Sequence, residues 1–215
     1  MNTELNRVKR KFADELYQFG MFKGKASSPE GKGFQLKLHE SRPDAPLSPY
    51  YIDLRILRSH PTTAKITAVH LFEEMFDGFA YDVFADVPTA ITPVVSSLSD
   101  RLGTPMITPR TAKGHGGGGN IDGIWSKGDI ALLFDDLVTE AHSKLEAAQV
   151  LRAGGVEVQN VFVLLDREQN GKAQLKAEGL TLHAAFTISE LLQLYLDTGT
   201  ISPDFYEEIC TYRAA

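Results

Sequence analysis

The sequence predicts an α/β fold with a central, mostly parallel sheet flanked by helices and a small N-terminal hood. Beyond residue 80, short apolar runs typical of strands alternate repeatedly with amphipathic segments typical of helices, which is the pattern of a parallel sheet. No shift in composition along the 215 residues marks a second domain. The first third of the chain lacks the regular alternation, and we therefore assign it to the hood.

Each element is predicted from a local pattern. Residues 3–19 carry apolar side chains at helical spacing, and Gly20 is a plausible stop. Strands are predicted at 34–38, 50–55, 81–87, 104–109, 129–136, 158–166 and 180–186, and further helices at 59–76, 88–103, 143–155, 171–179 and 188–199. Residues 39–50 are rich in proline and serine and are predicted to form a loop. Residues 111–129 have no periodicity and are predicted to form a long mobile loop.

These elements suggest a single domain covering residues 1–215. The hood is expected to comprise residues 1–58 together with a C-terminal segment, and the core about residues 59–190. The resulting chain is long enough to bury one substantial apolar core.

Composition excludes several classes of function. The net charge of −6 argues against a general nucleic-acid or anionic-membrane binder, and no apolar run approaches the roughly 20 residues that cross a bilayer. The one cysteine, Cys210, cannot form an intramolecular disulfide, which favours a reducing compartment. The N-terminus lacks the apolar core of a signal peptide. We expect a soluble, cytoplasmic enzyme-sized domain.

The segment FDDLVTEAHSK, residues 134–144, is the first candidate site. Open parallel sheets bind ligands beyond the carboxyl ends of their strands, and here a strand ends in Asp135 and Asp136. Such carboxylates suit sugar hydroxyls or Mg²⁺, while Thr139, Ser143 and the backbone N–H groups at a helix start suit a phosphate. Alternatively, the two acids cap a turn and Ser143 caps the helix.

Basic and aromatic residues elsewhere are further candidates. Arg110, Lys113 and His115 lie on the glycine-rich loop and suit a lid over a polyanion. The alternative is a solvated surface loop, which is weakened because loops of this length without structure are usually functional or disordered. Arg167 follows a strand end and suits a carboxylate, or else a surface ion pair. The other candidates, each of which has an ordinary structural explanation, are Lys37, Tyr50 and Tyr51.

The chain resembles the orotate phosphoribosyltransferases of the type I phosphoribosyltransferase fold. The resemblance lies in the order and spacing of seven segments: FQLKL, SPYYIDLR, FADVPTAITP, AKGHG, FDDLVT, DREQNG and LHAAFTISELL. The resemblance runs from about residue 12 to 200. It implies transfer of the 5-phosphoribosyl group from 5-phosphoribosyl 1-diphosphate (PRPP) to orotate, with Mg²⁺, in pyrimidine nucleotide biosynthesis.

The resemblance also implies roles for the candidates. Asp135 and Asp136 would bind the ribose hydroxyls directly or through Mg²⁺, and Arg167 would hold the orotate carboxylate. Thr139 and the backbone of Tyr50 and Tyr51 would complete base recognition. The residues expected to bind the 5′-phosphate are Thr139, Glu140, Ala141, His142 and Ser143, and those expected to bind diphosphate are Lys37, Arg110, Lys113 and His115. A homodimer sharing the 109–127 loop across subunits is the implied assembly.

The phosphate turn departs from the family pattern, because Glu140, Ala141 and His142 stand where small residues and glycine are common. A carboxylate ~5 Å from a phosphate would add roughly 1–3 kcal/mol of repulsion. Three arrangements avoid this cost: Glu140 points outward, a protonated His142 restores positive charge, or the two side chains pair with each other or with the opposite subunit.

Three functions are compatible with these residues. The favoured one is an active orotate phosphoribosyltransferase, because the candidate residues occur together. A non-catalytic PRPP- or nucleotide-binding regulatory homologue is suggested by the altered turn. A phosphoribosyltransferase for another base is the third, but such a base would leave Arg167 unpaired.

Overall fold

The computed structural model describes residues 3–36, 38–110 and 120–214, without the side chains of Leu38 and Ser41. Lys37, Lys113 and His115, three of the predicted site residues, lie outside the described residues. The elements, in chain order, are α1 (Thr3–Gln18), β1 (Phe22–Gly24), α2 (Leu38–Ser41), β2 (Tyr50–Ile52), α3 (Ala64–Phe76), β3 (Val83–Asp86), α4 (Thr92–Leu102), β4 (Met106–Pro109), β5 (Ile121–Asp122), β6 (Ile130–Val138), α5 (His142–Ala153), β7 (Glu157–Asp166), α6 (Gly171–Ala177), β8 (Thr181–Thr187), α7 (Ile188–Asp197) and α8 (Pro203–Ala214).

A six-stranded sheet in the order β5-β4-β3-β6-β7-β8 forms the centre of the molecule. All neighbouring strands from β4 to β8 pair in parallel, and β5 alone pairs antiparallel, with β4. A separate two-stranded antiparallel sheet, β1 with β2, belongs to the N-terminal part. The predicted α/β class with a mostly parallel sheet is confirmed.

The central strands are buried on both faces, which explains their continuous apolar sequences. Side chains alternate between the faces, so Phe84, Phe134 and Phe162 enter one core while Leu133 and Val163 enter another. The phenylalanine core lies beneath α1, α3, α4 and α7, and the second core lies beneath α5 and α6. The ring centroid of Phe134 is 5.5 Å from that of Phe84 and 5.6 Å from that of Phe162. The helices thus cover the faces and leave the strand ends accessible.

The N-terminal elements are attached to the C-terminal helices through buried aromatic side chains. The Tyr195 hydroxyl, in α7, donates a hydrogen bond of 2.8 Å to the carbonyl of Ala13, in α1. The Tyr195 ring meets Phe22 edge to face at 5.1 Å, and Phe22 in turn stacks on Tyr50 at 6.0 Å. These contacts connect residues near both ends of the chain and place β2 beside the sheet.

The expected strand at 34–38 is wrong. Phe34 forms a single antiparallel bridge with Ser48, and Leu38 already begins α2. The partner segment contains Pro46 and Pro49 on either side of Ser48, and proline has no N–H to donate to a ladder. Pairing therefore stops after one bridge.

The expected structureless loop at 111–129 is also partly wrong. Ile121 and Asp122 form β5, with Thr108 opposite Asp122 in β4. Ile121 is buried, and the indole Nε1 of Trp125 donates to the carbonyl of Gly154 at 3.1 Å. Two residues are too few to show alternation in sequence, so this strand could not be recognised there.

The remaining predicted helices and strands are confirmed, with ends that shift by a few residues. The sequence analysis missed β1, which has only three residues, and did not assign α8 as a helix. The loop expected at 39–50 is wrong at its start, because α2 occupies Leu38–Ser41. Gly20 follows α1 with a φ of 66°, a conformation that suits glycine at a helix end. Among the described residues no helix combines the length and apolar character needed to span a membrane.

The Tyr195 to Ala13 hydrogen bond gives a stability prediction. In Tyr195→Phe, a buried carbonyl loses one of its donors, and we expect the free energy of unfolding to fall by about 1 kcal/mol. Urea denaturation followed by circular dichroism measures the change. Tyr17→Phe is the matched control, because Tyr17 is 45% exposed and no change is expected there. Equal denaturation midpoints for Tyr195→Phe and the wild type would contradict the prediction.

Candidate active site

Main-chain hydrogen bonds join the loops that follow β6 and β7. The two strands pair in register as far as Val138 opposite Asp166. The N–H of Arg167 then donates to the carbonyl of Val138 at 2.9 Å, and the N–H of Gly171 donates to the carbonyl of Thr139 at 3.0 Å. The acid pair, the predicted phosphate turn and Arg167 are therefore held by one continuous backbone frame.

Asp135 is engaged by a lysine from the following helix. Its Oδ2 lies 2.5 Å from the Nζ of Lys144, and both side chains are only 6% exposed. Its Oδ1 accepts the N–H of Asp136 at 2.7 Å. Burial raises the pKa of Asp135 above the usual range of an aspartate, while the Lys144 charge acts in the opposite direction.

Asp136 has a different environment from its neighbour. Its side chain is half-buried, and its Oδ1 accepts the N–H of Leu137 at 2.7 Å. The carboxyl group of Asp136 also lies close enough to that of Asp135 to help raise its pKa. Asp136 is the more exposed member of the pair.

In the turn from Thr139 to Ser143, the side chains of Glu140 and His142 point outward, whereas Ala141 is buried. The Nδ1 of His142 lies 3.3 Å from the Oε2 of Glu140, and these side chains are 79% and 62% exposed. Glu140 therefore turns away from the backbone of the turn and pairs with His142, as two of the three arrangements considered from sequence require. The repulsion expected from its carboxylate is correspondingly weakened by solvent.

The backbone N–H groups of the turn are only partly used. Ala141 donates to the Oε1 of Gln174, in α6, at 2.8 Å. None of the described residues accepts from the N–H of Glu140, His142 or Ser143. Ala141 is the N-cap residue of α5, so Ser143 lies inside the helix and is not its cap. Three donors thus remain at a helix N-terminus, which is a favourable arrangement for an anion.

Arg167 meets the hood at Tyr50. Its Nη2 lies 3.4 Å from the Tyr50 hydroxyl, and its guanidinium carbon is 5.4 Å from the centre of the Tyr50 ring. The Arg167 Nε is buried and has no hydrogen-bond partner among the described residues. The Tyr50 ring itself packs in the core, whereas Tyr51 stacks on Phe34 at 5.5 Å. The structure thus brings Tyr50 and Arg167 together although 117 residues separate them.

A polar cluster supports the residue after Arg167. The Glu168 Oε2 accepts from Ser189 Oγ at 2.5 Å and from Arg213 Nη2 at 2.7 Å. Burial alone would raise the pKa of Glu168, but the hydrogen bonds from Ser189 and the charge of Arg213 outweigh it and hold the pKa below its usual value. The loop carrying Arg167 is therefore tied to α7 and α8.

The ends of β3 and β4 are joined by Asp86, which the sequence analysis did not single out. Its carboxylate is fully buried and accepts the hydroxyls of Thr92 and Thr108, the latter at 2.5 Å. Arg110 begins the glycine-rich segment, with its N–H on the carbonyl of Asn120 at 2.7 Å and its Nε 3.2 Å from Asp122.

A cleft of about 160 Å³ opens between these strand ends and α5. It is lined by Val87, Pro88, Pro109, Arg110, Ser143, Glu146, Ala147 and Val150. Two predicted ligand-binding residues, Arg110 and Ser143, therefore face one space although they come from different strand–helix units. Lys37, Lys113 and His115 cannot be placed, because they lie outside the described residues.

Lys144 is the main site residue that the sequence analysis missed. It was assigned only to the start of a helix. Its position three, four and seven residues before Ala147, Ala148 and Leu151 places it on the buried face of α5. A lysine on an otherwise apolar face was the available signal, since a buried lysine needs a charged partner.

The described residues do not form a metal cage of their own. No group of three His, Cys, Asp or Glu side chains among them is placed to hold an ion. Mg²⁺, however, is usually bound by one or two carboxylates together with substrate phosphates and water. The half-buried carboxylate of Asp136 fits a site of that shared kind.

Comparison with known proteins gives a consistent result, although no protein-family model matches the chain. The chain is 34% identical over 174 residues to an orotate phosphoribosyltransferase from Cenarchaeum symbiosum, which covers 75% of this chain and 83% of that protein. It is 33% identical over 157 residues to the bifunctional enzyme PyrF/PyrE of a Nostoc species, covering 73% of this chain and 33% of the relative.

A solved structure of Leishmania donovani UMP synthase superposes with a TM-score of 0.78 and 27% identity, covering 94% of this chain and 41% of that one. The chain thus spans well under half of the two longer proteins. The parallel sheet, with an acid pair and a helix N-terminus at its strand ends, defines a type I phosphoribosyltransferase. Within that class, the chain belongs to the orotate phosphoribosyltransferase family.

The contact between α6 and the phosphate turn gives a second prediction. A Cβ at Gly171 would lie 2.8 Å from the carbonyl oxygen of Thr139 and would also meet Val138, so Gly171→Ala must displace the turn. We expect a loss of about 1–3 kcal/mol in stability and weaker binding of inorganic phosphate at the turn. Thermal denaturation and calorimetry measure the two effects. Lys172→Ala, an exposed change on the same helix, should alter neither; similar behaviour of the two variants would contradict the prediction.

Proposed function

We propose that this protein transfers the 5-phosphoribosyl group of PRPP to orotate, giving orotidine 5′-phosphate and diphosphate in pyrimidine nucleotide biosynthesis. The observation that carries the proposal is Arg167, whose buried Nε lacks a partner among the described residues, beside Tyr50 and at the end of the strand next to the acid pair. A buried donor without an acceptor is costly, and a planar carboxylate such as that of orotate would satisfy it.

The roles of the site residues follow from the charges that develop during phosphoribosyl transfer. The bond from the ribosyl C1′ to the diphosphate oxygen breaks and a bond from C1′ to an orotate nitrogen forms, through a transition state with positive charge on the ring. The proton on that nitrogen passes to the departing diphosphate. The carboxylate of Asp136 stabilises that charge and accepts from the ribose hydroxyls. Arg110, Lys37, Lys113 and His115 compensate the negative charge that develops on the departing diphosphate.

The 5′-phosphate is proposed to bind at the Thr139–Ser143 turn. The N–H groups of Glu140, His142 and Ser143 serve as main-chain donors, and the α5 dipole adds positive potential. The Glu140 side chain does not oppose the phosphate, because it lies in solvent beside His142. Mg²⁺, held by Asp136 and the substrate, would contribute charge neutralisation at the diphosphate. Exclusion of water by the glycine-rich segment would protect the ribosyl centre from hydrolysis.

We further propose a cytoplasmic homodimer in which the 109–127 loop of each subunit completes the site of the other. The family resemblance of the AKGHG segment supports the sharing, and the lone cysteine supports the compartment. The β4–β5 hairpin brings residues 110 and 120 together at the two ends of that segment.

A non-catalytic PRPP-binding homologue is the second candidate. It is favoured by two observations: Ala141 donates its N–H to Gln174 and not outward, and Asp135 is paired with Lys144. Transfer to a base without a carboxylate is disfavoured, since it would leave Arg167 without a ligand acceptor.

Turnover distinguishes the candidates. With PRPP and Mg²⁺, we expect the purified protein to consume orotate. The loss of orotate absorbance measures this consumption. Arg167→Ala should raise the Michaelis constant for orotate by about 10–100-fold, because a charge-assisted contact is lost. The Michaelis constant for PRPP should stay nearly unchanged. Arg7→Ala, a change on the exposed face of α1, is the control.

Two other assay results would favour the two alternative functions. PRPP binding without turnover would exclude the enzyme in favour of the regulatory homologue. Consumption of uracil or hypoxanthine, but not of orotate, would assign another base.

Loop sharing can be tested by complementation. Lys113→Ala and Asp136→Asn should each lose activity by about 100-fold. When the two variants are co-expressed, half of the dimers are mixed and each has one intact site, so about a quarter of the wild-type activity should return. If the loop serves its own subunit, every site carries a defect and no activity will return. Circular dichroism spectra of each variant control for folding.

A further inference from the structure

The ion pair between Lys144 and Asp135 limits the ligand contacts that Asp135 can make. The Nζ of Lys144 lies 2.5 Å from the Oδ2 of Asp135, with both side chains almost entirely removed from solvent. The other Asp135 oxygen accepts the N–H of Asp136 at 2.7 Å. Both oxygens of Asp135 are therefore used within the protein, and one of them by a full charge.

The pair is not easily opened. A buried carboxylate that loses its cation becomes an uncompensated charge in a medium of low dielectric, which is strongly unfavourable. Lys144 is also fixed by α5, because it lies in the first turn of that helix on the side facing the second core. A substrate hydroxyl offers Asp135 a weaker partner than the ammonium group already there.

Asp136 offers a contrast at the neighbouring position. It is half-buried, its Oδ1 accepts the N–H of Leu137, and its carboxyl group interacts with that of Asp135 and not with a cation. The strand end thus presents one available carboxylate and one that is neutralised by Lys144.

We propose that Lys144 is a positioning residue that withdraws Asp135 from the ribosyl site, so that Asp136 alone contacts the sugar hydroxyls of PRPP. This inference rests on the proposed function for the identity of the ligand. Its physical consequence is electrostatic. PRPP is a polyanion, and a site with one net negative charge repels it less than a site with two. The Nζ of Lys144 also lies 3.3 Å from Ser143 Oγ, so its charge is close to the phosphate turn.

Binding measurements with neutral variants test the inference. Asp136→Asn should weaken PRPP binding by at least about tenfold, because charge-assisted hydrogen bonds to the ribose hydroxyls are lost. The double variant Asp135→Asn/Lys144→Met removes both charges of the buried pair and leaves no unpaired ion. It should keep the PRPP dissociation constant within about threefold of the wild type, since no ligand contact is lost. Titration calorimetry with PRPP and Mg²⁺, without orotate, gives the constants, and thermal denaturation reports folding.

A second variant keeps the test decisive if the double variant does not fold. Asp135→Asn alone retains Lys144, and its amide can still accept from the ammonium group. PRPP binding equal to or tighter than that of the wild type supports the inference. A loss in either Asp135 variant as large as that in Asp136→Asn shows that Asp135 reaches the sugar, and overturns it. Unchanged binding in Asp136→Asn overturns it as well.

Orotate turnover by the wild type separates this inference from the proposed function. If the wild type binds PRPP but does not consume orotate, and the variants still differ as described, the inference stands and the enzymatic proposal fails. If orotate is consumed and the variants behave alike, only the inference fails. Absence of PRPP binding to the wild type would reject both.

Discussion

The parallel pairing of β6 with β7 is the constraint on which the rest of the site depends. The ladder extends to Val138 opposite Asp166, and the same hydrogen-bonding direction continues into the loops through Arg167 and Gly171. Arg167 and a turn that suits a phosphate are consequently held at a constant separation by main chain. Side-chain contacts only refine this arrangement: Gln174 meets the turn, and Glu168 ties its loop to α7 and α8.

The buried ion pair beside this ladder has a different energetic character. Removing two charges from water is costly, and the pair is at best a small net contribution to stability. Its value is better sought in what it prevents, namely the exposure of a second carboxylate at the strand end. Lys144 can be held there because α5 begins immediately after the turn and projects its third residue back toward β6.

Long periodic segments could be predicted from sequence, since an apolar face repeated over two or more turns or several strand residues leaves few alternatives. Short elements could not. FQLKL alternates correctly but lacks a partner able to pair beyond Ser48, and β5 has only two residues. The same distinction holds in the site. The candidate residues at the strand ends could be selected from sequence, whereas the difference between Asp135 and Asp136 depends on Lys144, and the meeting of Tyr50 with Arg167 depends on the complete fold.

The outward pairing of Glu140 with His142 has a consequence for how such proteins diverge. Where main-chain N–H groups face the ligand, selection acts on backbone conformation, and the side chains of the turn are released from the requirement to be small. Acidic or basic residues can then accumulate at these positions without removing a donor. A consensus derived from residue types in this turn would exclude relatives that keep the same main-chain donors, so ancestry is better traced through the buried strands than through the turn.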